Sequence, residues 1–74
     1  MQYTVKLIWE PDSKCWRTEA PDIPGLWLEA DTFDELVEQV SLAAPEILAF
    51  NCKYTGPVEI IFEASRIEQL KMVS

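Results

Sequence analysis

The stretch Pro21-Asp22-Ile23-Pro24-Gly25-Leu26 constrains this chain more than any other. Neither proline can donate to a β-ladder, so strand pairing has to be suspended across it. Gly25 directly follows Pro24, the arrangement a type II turn requires, with positive φ at its third residue. Whatever lies on the two sides must therefore be distinct strands joined by a stiff corner.

Upstream, residues 2–9 alternate, with Tyr3, Val5, Leu7 and Trp9 on one face and Thr4, Lys6 and Ile8 on the other. This is the signature of a half-buried strand. Residues 10–14, Glu-Pro-Asp-Ser-Lys, read as a turn. Residues 15–20 then form a second strand, with Trp16, Thr18 and Ala20 inward, and the spacing makes the pair a hairpin. Downstream of the corner, Leu26–Ala30 reads as a third strand, with Leu28 and Ala30 inward and Trp27 and Glu29 outward.

Thr32 and Glu35 form a capping-box pattern at a helix start, and Asp34 and Glu35 suit the positive end of the helix dipole. Phe33, Leu36, Val37, Val40, Ala44, Ile47 and Leu48 recur at helical spacing as one apolar stripe. Pro45 is expected to kink the helix or restart it as a short second piece reaching Phe50. After a loop at 51–56, residues 57–64 read as a fourth strand, with Val58, Ile60 and Phe62 inward and Glu59, Ile61 and Glu63 outward. Ser65 and Glu68 repeat the capping pattern, which predicts a short C-terminal helix over residues 66–72.

The element order is β-β-β-α-β, an α+β fold on a single domain spanning residues 1–74, with its core in 2–64 and a short helix or tail over 65–74. The right-handed crossover preference places strand four beside strand one, giving the sheet order 3-2-1-4 with the helix on one face. The opposite face stays open. Ile8, Trp27 and Ile61 are large apolar residues where water is expected, and Arg17 and Trp27 belong to types enriched in interface hot spots. We therefore take Ile8, Arg17, Trp27, Glu29, Glu59, Ile61 and Glu63 as candidate partner-binding residues. Isolated apolar residues on a surface are also ordinary. Cys15 falls on this outward set too.

Chemistry is scarce. With no histidine, Ser-His and Cys-His pairs are excluded. Two cysteines, Cys15 and Cys52, cannot close a zinc shell, and two glycines cannot build a phosphate loop. Carboxylates at Glu10, Glu35, Glu38, Glu59 and Glu63 are the one resource for a Mg²⁺ nuclease. Helix acids of this kind, however, are what an exposed helix face carries, and the acids of strand four point away from the helix. No catalytic residue, metal or cofactor is expected. The net charge of −7, with basic residues scattered singly, argues against nucleic-acid binding and favours a basic partner. The same charge also simply keeps a small protein soluble. The N-terminus enters a strand without a signal pattern, and no apolar run approaches the ~20 residues of a membrane span. A cytoplasmic protein with reduced thiols is the expectation. A chain of 74 residues buries only about 60% of its unfolded surface, so oligomerisation is expected as a supplement.

The path Tyr3-x-Val5-x-Leu7-Ile8-Trp9-Glu10-Pro11-Asp12, Pro21-Asp22-Ile23-Pro24-Gly25-Leu26 and Ala30-Asp31-Thr32-Phe33-Asp34-Glu35-Leu36 resembles the HicB-like antitoxin domain, closest to short bacterial relatives of that domain. The likeness covers about residues 3–64. It implies a partial ribonuclease-H-like β-β-β-α-β fold. It also implies binding to a small basic RNA-cleaving toxin (HicA-like, of double-stranded-RNA-binding-domain shape), with no nuclease activity in the antitoxin domain itself. The DNA-binding appendage of such antitoxins is not carried over, as the chain stops at Ser74, so direct DNA binding is not expected. Two readings stand: an antitoxin-like protein-binding module, or a stand-alone homo-oligomeric regulatory or structural protein, dimeric or higher.

Overall fold

A computed structural model of the chain describes residues 2–19 and 21–70. Five elements follow in order: β1 (Gln2–Glu10), β2 (Cys15–Glu19), β3 (Glu29–Ala30), α1 (Phe33–Asn51) and β4 (Glu59–Ser65). The sheet order is β3-β2-β1-β4, as the alternation and the crossover preference predict. β1 pairs antiparallel with β2 and parallel with β4. The helix lies on one face, closest to β2 and β3.

Val5, Leu7, Ile23, Leu26, Ala30, Leu36, Val40, Ala44 and Leu48 form the buried core. The strand residues alternate into it and the helix residues recur at three- and four-residue steps, so both periodicities converge on one apolar layer. Above Trp16 the packing turns aromatic: its ring meets Trp9 edge-on at 5.7 Å and Phe33 at 5.3 Å. Such pairs add roughly 0.5–1.5 kcal/mol to the area they bury.

The corner is a type II turn. Leu26 N donates to the Ile23 carbonyl at 3.3 Å, and Gly25 sits at φ 83°. Ile23 and Leu26 plunge into the core on either side of it. Asp22 ties the corner back to the sheet: its carboxylate accepts the Thr4 N–H at 3.2 Å.

The expected third strand is shorter than the pattern suggests, with only Glu29–Ala30 in the ladder. Thr18 is the reason. It is buried, and its hydroxyl donates to the Leu26 carbonyl at 2.9 Å and accepts the Leu28 N–H at 3.1 Å. A side chain thus satisfies groups that strand pairing would otherwise take, and Leu26–Leu28 falls outside the strand. The inward position expected for Ala20 lies outside the described residues.

The helix start holds as expected, with Glu35 N donating to the Thr32 hydroxyl at 3.1 Å. The break expected at Pro45 does not occur: α1 runs through it without interruption. Val40, Ala44 and Leu48 anchor the helix in the core on both sides of the proline. That burial outweighs the ~3 kcal/mol a mid-helix proline costs. Ser41 and Pro45 are both exposed, so water reaches the carbonyl that lost its donor.

The C-terminal helix is also corrected. Ser65 ends β4, paired beside Ile8, and residues 66–70 form no helix; positions 71 and 72 of that expected helix lie outside the described residues. Glu68 does not cap Ser65 but pairs with Arg66, whose guanidinium also lies over the Trp9 ring at 4.1 Å. The long β1 strand continues to offer a ladder as far as Ile8, and that outcompetes a lone capping pattern.

Candidate protein-docking face

Register assembles the open face in rows. Arg17 lies between Glu29 and Ile8, and Ile8 adjoins Ser65. Lys6 lies between Glu19 and Glu63. Ile61 adjoins Thr4, and Glu59 adjoins Gln2, whose amide donates to it at 3.2 Å. The candidates Ile8, Arg17, Glu29, Glu59, Ile61 and Glu63 therefore share one surface. Trp27 borders it, lining a shallow depression with Arg17 and Glu29, and is 65% exposed.

Of the two cations of the face, Arg17 is paired and Lys6 sits among acids. The Arg17 guanidinium donates to Glu10 at 2.9 Å and approaches Glu19 at 4.0 Å. Lys6 shares a cleft of about 370 Å³ with Glu19, Asp22 and Glu63. The Arg17–Glu10 pair is partly exposed and contributes about 0.2–1 kcal/mol. Its larger effect is on charge, because Glu10, Glu19, Glu29, Glu59 and Glu63 leave the face with an acidic excess around Arg17 and Lys6.

Cys15 does not face solvent as the alternation suggested; it is buried. The Glu29 side chain covers it, with the thiol 3.8 Å from the carboxylate. Burial first, and then Glu29, with lesser effects from Glu10 and Asp31, pushes the thiol above its ordinary pKa. Cys15 is thus protonated and shielded, while Cys52 is exposed, and neither is in a disulfide. Among the described residues no three His, Cys, Asp or Glu side chains gather as a metal site, and no helix is long and apolar enough to cross a membrane.

One apolar residue of this face escaped sequence reasoning. Ile67, 79% exposed, follows Ser65 on the same side as Ile8 and lines a cleft of about 720 Å³ with Ile8, Glu19 and Ser65. Assigning residues 66–72 to a helix hid it; the continued period-two alternation from Ile61 through Glu63 and Ser65 was the signal that could have found it.

Fold and face together define a two-layer α+β domain that presents an acidic, partly apolar sheet surface. The chain belongs to the family described as Domain of unknown function (DUF1902), whose profile it matches over residues 2–74. Among solved structures it is similar to a hypothetical protein from the extremely thermophilic bacterium Thermus thermophilus. That likeness has 31% identity and a TM-score of 0.76, and covers 95% of this chain and 100% of the other. No curated protein matches the chain.

Proposed function

We propose that this chain is a non-catalytic, antitoxin-like protein-binding module, related to HicB-like domains, whose open sheet face covers a small basic protein. The observation that carries the reading is the charge arrangement of that face. Lys6 and Arg17 are each flanked by glutamates, so the remaining carboxylates attract a basic surface, while Trp27 offers a protruding aromatic anchor. Charge of this kind steers encounter and register, and the anchor supplies affinity. An RNA-cleaving protein with a cationic RNA groove is the kind of partner such a face would occlude.

The test is capture by tagged protein from the native lysate at low and moderate salt, followed by an RNA-cleavage assay on whatever is recovered. Recovery of one small basic ribonuclease, inhibited by the chain and released by salt or by Trp27→Ala, supports the reading. If only further copies of the chain are captured, the stand-alone homo-oligomer replaces it.

A further inference from the structure

β4 lies at the edge of the sheet, with β1 on one side and no strand on the other among the described residues. Its outer row of N–H and C=O groups is a template for another strand. The helix sits towards β2 and β3, so the inward residues Val58, Ile60 and Phe62 are only half-buried. Together with Ser41 and Pro45 they line an open cleft of about 270 Å³.

The chain is also more open than a compact monomer of its size. It exposes 5607 Å², whereas a folded monomer of 8.5 kDa exposes about 4,700 Å². Its radius of gyration is 14.6 Å against roughly 11 Å for a compact chain of this length. Part of that surplus is the exposed segment 66–70 and part is the bare margin of β4, where a second copy would cover it; a stable interface takes ~800 Å² from each partner.

We propose that two copies join β4 to β4 antiparallel across a two-fold axis, making one eight-stranded sheet with both helices on the same face. Charge selects the register. Centring the axis on Ile61 sets Glu59 against the partner's Glu63, and centring it on Glu63 sets that residue against itself; like charges directly opposite are unfavourable. Centring on Phe62 or on Ile60 avoids both, and in either case Ile61 faces a glutamate of the partner, Glu63 or Glu59. The inward residues of the two strands then close the cleft beneath Pro45. Both open faces are left uncovered, side by side.

Sedimentation equilibrium of the purified chain tests this, alongside Ile61→Lys and Ile61→Glu. A dimer is expected, tightened by Lys and loosened by Glu, each by roughly three- to tenfold in dissociation constant. Equal effects of the two substitutions, or a monomeric mass at every concentration, overturn the proposal. Amide exchange locates the contact without any substitution. Concentration-dependent protection confined to β4 supports the edge-to-edge pair, and protection at β3 or across the open face instead refutes it.

Discussion

The buried hydroxyl of Thr18 accepts the Leu28 N–H at 3.1 Å, so a side chain takes the place of a ladder bond at the point where the third strand leaves the sheet. The same hydroxyl donates its O–H to the Leu26 carbonyl, and the Thr18 N–H donates to the Leu28 carbonyl at 3.0 Å. One residue thus fixes how the corner returns to the sheet and where Trp27 projects.

Thr18→Val keeps the shape and removes the hydroxyl, leaving the Leu28 N–H and the Leu26 carbonyl without it. Urea unfolding is expected to show a loss of about 2–3 kcal/mol, with Thr18→Ser recovering most of it. A Val variant as stable as the parent would mean water replaces the hydroxyl.

Gly25→Ala tests the corner itself. A Cβ there meets nothing within 4 Å, so space is no obstacle, and the cost is that of holding φ at 83°. The expected destabilisation is about 1–2 kcal/mol, read from the thermal midpoint and enthalpy.

Trp27→Ala removes an exposed side chain with little packing to lose. Its unfolding free energy should stay within about 0.5 kcal/mol of the parent. A larger loss would recast Trp27 as part of the core rather than as an anchor for a partner.

The two thiols should differ in behaviour. At neutral pH a thiol reagent should modify Cys52 quickly and Cys15 only on unfolding, by mass spectrometry of the labelled peptides. The sign of the pH effect follows from the raised Cys15 pKa. Unfolded, the thiol ionises near pH ~8.5, whereas folded it keeps its proton to higher pH. Below that value both states hold the proton and nothing is lost. As pH rises from the ordinary thiol pKa towards the raised one, unfolding releases a proton and stability falls. Cys15→Ala should flatten that alkaline limb of the stability curve.

Salt separates the two proposed associations. Each copy carries −7, so self-pairing works against repulsion and should tighten as salt screens it. Binding of a basic protein to the open face should weaken over the same range. Opposite slopes in one set of titrations would separate self-pairing from binding of a basic protein, and formation of both contacts at once would assign them to different surfaces.

Much of the fold was legible because local and long-range preferences agree in most of it. β1 and β4 alternate cleanly, Pro24-Gly25 admits little but the turn found, and Thr32 caps the helix as its position suggests. The misreadings fall where a local preference met a stronger tertiary one. Pro45 is a helix breaker in isolation, but buried neighbours one turn away on both sides hold the helix together. Ser65 and Glu68 look like a cap, but β1 is long enough to keep pairing with that segment. The open face was legible in outline, since alternation alone assigns faces. The Arg17–Glu10 pairing and the burial of Cys15 under Glu29 were not, because they depend on rotamers across strands rather than on position within one.

The brevity of β3 has a consequence for how this protein behaves when concentrated. A sheet with two long bare margins can add neighbours at both ends and grow without limit into a fibre. Two laddered residues give an incoming chain almost nothing to copy, so growth at that margin stalls. With adhesion confined to one margin, and that margin matched to itself, assembly closes after a single step. A corner that leaves its strand so short is then also a safeguard against amyloid.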